Sequence, residues 1–324
     1  MSGYTALVTG GRIKIGFETS LKLLRSGCKA IVTSRFPKDT YRRYSQMPDF
    51  MDWHSNLVVY AVDFAKLNEL AAFISYLMDS LTSLEIIINN AAQTIQKPRE
   101  YYKHLAEIES AALGDKNAFL GSSSYFQNDN HRPQTSLDLA ALRSIDLAFP
   151  PNIYDEFDQQ VDNRKVNSWV TKLQNVSIQE LLEVLLINVV APFMINSKLK
   201  PLLERSATSS RYIINVSAME GKFNRKKSIY HPHTNLAKAA LNMMTRTSAE
   251  DYARSKIFMN SVDTGWITNE NPSHIADKMA EKKLFPPLDV IDGAARICDP
   301  IFTGIRTGVN ESGKFLKDYK PTSW

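Results

Sequence analysis

Residues 4–16 read Tyr4-Thr5-Ala6-Leu7-Val8-Thr9-Gly10-Gly11-Arg12-Ile13-Lys14-Ile15-Gly16. The apolar run 4–8 ends in Thr9-Gly10-Gly11, the pattern of a buried strand feeding a tight turn. Phe17, Leu21 and Leu24 then recur at helical spacing, and Gly27 is placed to stop that helix. Strand, glycine turn and helix in this order bring backbone amides, unobstructed by side chains, to a helix N-terminus, as a pyrophosphate requires. Working outward, residues 30–33 and 57–62 form further apolar runs, 66–81 an amphipathic helix and 84–89 a fourth strand. Continuous apolar strands separated by helices predict a parallel sheet covered on both faces, and right-handed crossovers make it doubly wound.

The rhythm breaks after Asn90. Residues 94–177 are polar, rich in Asn, Asp, Gln and Ser, with Pro133, Pro150 and Pro151 and short helical patterns at 101–113 and 136–145. A stretch this long is not a simple loop in a compact domain. It is read as a partly helical insertion on the active-site side, entering near the strand ends where ligands bind and so roofing the pocket. The α/β pattern resumes with a helix at 179–199, strand 211–216, helix 235–255, strand 257–262, helix 290–303 and strand 313–316. The expected fold is therefore α/β, a doubly wound parallel sheet of Rossmann type, as one dinucleotide-binding domain over residues 1–324 interrupted by the insertion.

Bulk properties narrow the classes. Of 324 residues, 44% are hydrophobic and 23% charged, as in an ordinary globular protein. The net charge of +5 comes with a cluster at Lys222, Arg225, Lys226 and Lys227 and a pair at Arg42 and Arg43. No basic stripe interleaved with aromatics can be traced, so no nucleic-acid groove is expected and the bias is toward small anions. No apolar run reaches the roughly 20 residues of a membrane span. The opening residues read as a strand rather than a signal sequence, and the final KDYKPTSW carries no lipidation signal. Cys28 and Cys298 lack metal-ligand spacing, so neither a metal nor a disulfide framework is expected and a reducing, cytoplasmic setting fits.

Further landmarks follow the glycine turn in order. Asp63 ends the third strand, Asn89-Asn90-Ala91-Ala92 follows the fourth, Asn188 lies in LLINVVAPF and Ser217 in INVSAMEG. Lys238 lies in NLAKAALNMMTRTSA, and Val262-Asp263-Thr264-Gly265-Trp266-Ile267-Thr268 follows the sixth strand. Across residues 4–92 and 180–317 the chain resembles the short-chain dehydrogenase/reductase family. It matches the family's Thr-Gly-x-x-x-Gly-x-Gly turn except that Lys14 replaces the middle glycine, and Thr264 replaces a family proline. The resemblance implies a dinucleotide site at Gly10, Arg12, Lys14, Ile15, Gly16, Asp63, Asn90, Lys238, Gly265, Ile267 and Thr268. It also implies a catalytic set in which Ser217 orients the reacting oxygen, Lys238 binds the nicotinamide ribose and Asn188 supports a water-linked proton path. Subunit packing into a homodimer or homotetramer through the helices at 179–199 and 235–255 is implied as well.

Two positions shape the functional expectation. The second strand ends Thr33-Ser34-Arg35-Phe36, without the carboxylate that would accept from NAD ribose hydroxyls. Arg35 can instead take a 2′-phosphate in a bidentate manner, so NADP is expected over NAD. The family's proton-transferring tyrosine stands four residues before the lysine, and here that position is Thr234, whose alkyl hydroxyl is too weak an acid. Aligning Tyr230 instead would put Thr234 in the lysine's place and lose the match downstream. Tyr230, His231 and His233, or Tyr101, Tyr102, Tyr125 and Tyr154 of the insertion, are the candidate substitutes. The expected function is an NADP(H)-dependent oxidoreductase acting on a carbonyl or alcohol substrate with an atypical proton donor. The alternative is a catalytically silent NADP(H)-binding sensor or interaction protein that uses the insertion to bind a partner.

Overall fold

The computed structural model describes residues 1–110, 119–121, 125 and 139–324, apart from the side chains of 139–143. The strands are β1 (Thr5–Val8), β2 (Lys29–Ser34), β3 (Leu57–Ala61), β4 (Ile86–Asn89), β5 (Leu120–Gly121), β6 (Arg211–Ser217), β7 (Ile257–Asp263), β8 (Phe315–Lys317) and β9 (Lys320–Thr322). The helices are α1 (Lys14–Arg25), α2 (Pro37–Ser45), α3 (Phe50–Trp53), α4 (Leu67–Ser80), α5 (Lys103–Ser110), α6 (Leu139–Ala148) and α7 (Ile178–Leu185). They continue with α8 (Ala191–Lys198), α9 (Lys200–Glu204), α10 (Pro232–Arg254), α11 (Ser273–Glu281) and α12 (Val290–Thr307). The expected helices at 101–113 and 136–145 correspond to α5 and α6; residues 111–113, 133 and 136–138 lie outside the described residues.

One sheet runs in the order β5-β3-β2-β1-β4-β6-β7-β8-β9, parallel throughout except for the antiparallel pair β8–β9. The chain goes one way from β1 to β2 and β3 and the other way through β4, β6, β7, β8 and β9, while β5 of the insertion returns to the β3 edge. This reversal opens a crevice at the C-terminal ends of β1 and β4, where ligands of open α/β sheets bind. Strand alternation explains why the runs read as continuously apolar. Leu7, Ile87 and Ile213 face α4, α8 and α9 with Phe73, Leu77, Ile195 and Leu202. Ala6, Val8, Ile86, Ile88 and Ile214 face the opposite layer with Leu23, Ile297 and Ile301 of α1 and α12. Both faces are buried, so neither shows a polar alternate.

A separate cluster anchors the insertion. Phe36, just past β2, packs with Tyr101, Tyr102, Leu105 and Phe149, and β5 adds an edge strand beside β3.

One expectation needs correction. Helix Ile178–Lys198 is, by length and composition, apolar enough to cross a membrane, with a hydropathy of 1.8 and a third of its window buried. Glu180, Glu183 and Asn188 interrupt the apolar run within it. In the fold this helix, α7 and α8 joined by a π turn at Leu186–Val190, is tied to its neighbours through Val184, Asn188, Ala191 and Ile195.

Candidate dinucleotide and catalytic site

The turn after β1 is fastened to the end of β4. Thr9 Oγ1 accepts the amides of Asn90 and Ala91 at 3.0 and 2.9 Å, and Asn90 Nδ2 donates to the carbonyls of Thr9 and Gly10 at 3.1 and 3.0 Å. A Cβ on Gly16 would lie 2.2 Å from the Gly10 carbonyl oxygen and 2.4 Å from Asn90 Nδ2, so that position admits no side chain. Lys14, where the family has glycine, keeps the left-handed backbone itself with φ +55°. Helix α1 opens with no side-chain cap and no acidic residue in its first turn, which leaves its N-terminus available to an anion.

A cleft of about 600 Å³ lies above this turn. Of the expected nucleotide residues, Gly10, Arg12, Lys14, Ile15, Gly16, Arg35, Asp63, Asn90 and Thr268 line it. Gly265 and Ile267 stand beside it. Gly265, with φ +87°, donates its amide to Asp263, and Ile267 packs near Ile15 across Gly293. Arg12 is more constrained than its place in the turn implied. Its guanidinium is buried and paired with Asp39 at 2.8 Å, a carboxylate also held by Arg42 and Arg43. Burial pushes the Asp39 carboxyl up, but the three guanidiniums outweigh it and hold it at about 2. Arg35 donates to the Tyr102 hydroxyl at 3.0 Å and lies 4.9–5.4 Å from the rings of Phe36, Tyr102 and Tyr125. Asp63 accepts the Ala65 amide, and Thr268 bonds Glu270 at 2.7 Å.

The insertion supplies walls that no sequence pattern singled out. Lys97, Gln159, Gln160 and Asp162 line the cleft, and Asn167 Nδ2 reaches across to the Glu270 carbonyl at 3.0 Å. Side-chain amides and an ion pair in a polar stretch carry no periodicity that would mark them.

Three of the residues expected to form the catalytic set or its neighbour gather at the end of β6 and the start of α10. Ser217 closes β6, Thr234 sits in the first turn of α10 and Lys238 one turn later on the same face; all three are buried. Among the described residues, Ser217 Oγ and Thr234 Oγ1 have no hydrogen-bond partner. Lys238 Nζ donates to the Val216 carbonyl at 2.8 Å, and burial pushes its pKa down to about 8 against the pull of Glu220 and Asp263. Asn188, inside the π turn, is clamped on the backbone of Gln93: its Oδ1 accepts from the amide at 2.7 Å and its Nδ2 donates to the carbonyl at 3.0 Å. The cleft wall runs on to Gln93 and Ile187 and stops short of Ser217, Thr234 and Lys238.

The substitute acids are dispersed. Tyr230 is 37% exposed, with its backbone bridged to Lys172. His231 stacks on Trp169 at 4.0 Å. His233 is buried with Nε2 3.2 Å from Glu180 Oε1, a contact that draws the Glu180 carboxyl below its usual value. Tyr101, Tyr102 and Tyr125 pack around Phe36 beyond β2, three strands from β6, which is about 14 Å at the usual strand spacing. Tyr154 sits on an exposed part of the insertion.

A family profile described as short chain dehydrogenase matches residues 4–111, and one described as enoyl-(acyl carrier protein) reductase matches residues 154–285. Uncharacterized protein R665 of Acanthamoeba polyphaga mimivirus is 32% identical over 319 residues. That match covers 93% of this chain but only 63% of the viral protein's length. The fold is similar to that of a Pseudomonas aeruginosa RhlG/NADP active-site complex, with a TM-score of 0.62 and 17% identity, covering 98% of this chain and 94% of that one. It is equally similar to an NADPH-bound carbonyl reductase from chicken fatty liver, with a TM-score of 0.62 and 17% identity over 100% of both chains. A short chain dehydrogenase from Burkholderia cenocepacia J2315 in complex with NADP gives a TM-score of 0.62 at 16% identity, covering 97% and 96%.

Proposed function

Because the chain belongs to the short-chain dehydrogenase/reductase family, we propose that it is an NADP(H)-dependent oxidoreductase acting on a carbonyl or alcohol substrate, with Lys238 as its proton donor. The observation that carries this reading is the buried ammonium of Lys238 near the hydroxyls of Ser217 and Thr234, which have no hydrogen-bond partner among the described residues. A desolvated cation facing one carbonyl is costly, and apolar packing would be cheaper unless a ligand completes the pairing. The residues fit a dinucleotide. The uncapped N-terminus of α1 suits the pyrophosphate, Asp63 the adenine and Lys238 the nicotinamide ribose. Arg35, at a strand end without a carboxylate, suits a 2′-phosphate. When bound, the cofactor supplies or accepts the hydride. Ser217 holds the substrate oxygen, and Lys238 releases a proton toward it near neutral pH. Thr234 can pass a proton but not originate one. The insertion encloses this site through the Asn167–Glu270 bond. The exposed Leu182, Phe193, Leu236 and Met243, on the helices that the family uses for subunit packing, serve to pair two copies.

One observation favours the silent sensor instead: the acid position is Thr234, and the cleft wall ends before it. Calorimetry of the purified chain with NADPH and NADH separates the readings, followed by NADPH oxidation against a panel of aldehydes and ketones. Preferential NADPH binding, turnover of a carbonyl compound and a light-scattering mass of twice the chain are expected. NADPH binding without any turnover would favour the sensor. Failure of both nucleotides to bind would end the oxidoreductase reading.

A further inference from the structure

Residues 153–161 double back as a short hairpin. The Val161 amide donates to the Ile153 carbonyl at 3.1 Å, the Asp155 amide to Gln159 at 2.8 Å, and Tyr154 bridges Gln160. The tip is a preset turn: Asp155 Oδ1 accepts the amides of Phe157 and Gln159, both at 2.9 Å, and Asp158 is left-handed with φ +54°. It touches the phosphate turn and its surroundings at three cations. The Phe157 ring lies 5.1 Å from Lys14 Nζ, Gln159 Oε1 lies 3.5 Å from Arg12 Nη2, and Asp158 Oδ2 lies 3.6 Å from Arg43 Nη1.

These cations have attraction to spare. Arg12, Arg42 and Arg43 share the single carboxylate of Asp39, and Arg43 Nη2 is buried with no hydrogen-bond partner among the described residues. The tip contacts, by contrast, are weak. The Asp158 side chain is 72% exposed, so its ion pair is largely screened by water, and a lysine over a ring holds little more. The roots are firmer. Gln160 is buried and donates to the carbonyls of Pro150 and Ile153, and the Asn163 amide bonds Ala148 at 2.8 Å. Firm roots and a loosely held tip describe a flap.

We propose that this hairpin covers the nucleotide end of the cleft as a displaceable flap, its tip holding Arg43, Arg12 and Lys14 until the dinucleotide's phosphates claim them. The proposal rests on the cofactor reading above, and the test keeps the two apart. The whole chain is titrated with NADPH by calorimetry as wild type, Asp158→Asn and Phe157→Ala. Asparagine adopts the left-handed backbone as readily as aspartate, so the first variant removes charge without reshaping the tip. Each variant is expected to bind NADPH about three- to tenfold more tightly, with the Asp158→Asn gain shrinking as salt is added. A variant that binds beside a wild type that does not would be the strongest support. Equal or weaker binding in both variants overturns the flap and leaves the cofactor reading intact. No binding by any of the three overturns both.

Discussion

The two ends of this site are built on opposite principles. At the nucleotide end, Thr9, Gly10 and Asn90 satisfy one another through a closed set of hydrogen bonds, and the turn is complete without a ligand. At the end proposed as catalytic, Ser217 and Thr234 are buried with hydroxyls that have no hydrogen-bond partner among the described residues, and Lys238 is a buried cation hydrogen-bonded to the Val216 carbonyl. The first end is closed on itself and stabilises the fold. The second lowers stability, a deficit that a bound ligand would offset under the proposed function. Substitution should therefore hurt both folding and binding at the first end, but move them in opposite directions at the second.

The largest effect is expected from Gly16→Val. Its Cβ would meet the Gly10 carbonyl and Asn90 Nδ2 well inside contact distance, and backbone cannot yield there as a flexible side chain would. Overpacking of this kind costs about 1–3 kcal/mol, and the displaced turn should lose NADPH affinity by about a hundredfold or more. Thermal melting and calorimetry on one sample check both. Wild-type affinity in a destabilised variant would mean that the phosphates bind elsewhere.

Lys238→Met probes the other end. Burial holds the Lys238 pKa at about 8, against an ordinary 10.5. Between those two values the unfolded chain keeps a proton that the folded chain releases. Wild-type stability should therefore rise as pH climbs from about 8 to about 10.5, with the full penalty, on the order of 3 kcal/mol, present below that window. In the methionine variant this rise should flatten and stability near neutrality should increase, while NADPH affinity and any turnover fall. Denaturant melts at several pH values give the answer, and an unchanged slope would show that Lys238 carries no such burden.

How far the sequence disclosed these two ends differs for physical reasons. The sheet was legible because β1 to β4 are buried on both faces, so their apolar runs are unbroken. The glycine turn was legible because Gly10 and Gly16 mark places where a side chain cannot fit. Edge strand β5 was not, since two residues have no period, and β9 contains Pro321 and is exposed. Asp39 was half visible: its spacing to Arg42 and Arg43 on one helix face can be counted, but Arg12 reaches it from another element. The flap was invisible, because its hairpin is made by an aspartate turn in a polar stretch without alternation. At the catalytic end the types of Ser217, Thr234 and Lys238 were legible, and their lack of partners was not.

The smallest effect bears on the one blemish in the well-satisfied end. Lys14 opens α1 in a left-handed conformation that costs an L-residue about 1–2 kcal/mol. Glycine would remove that strain but add roughly 0.5–1 kcal/mol of chain entropy to be lost on folding. Lys14→Gly should therefore stabilise the fold by about 0.5 kcal/mol, a rise in melting temperature of about 1–2 °C for a chain of this size. Its effect on NADPH affinity should be slight, because the same ammonium serves the phosphates and the Phe157 ring of the flap, and losing the two contacts moves affinity in opposite directions. A fall in melting temperature would mean that the backbone there is unstrained. With the expected rise, the two ends can be set on one scale: about 1–2 kcal/mol of strain in the backbone proposed to hold the nucleotide, and about twice as much in the buried charge proposed to serve the chemistry.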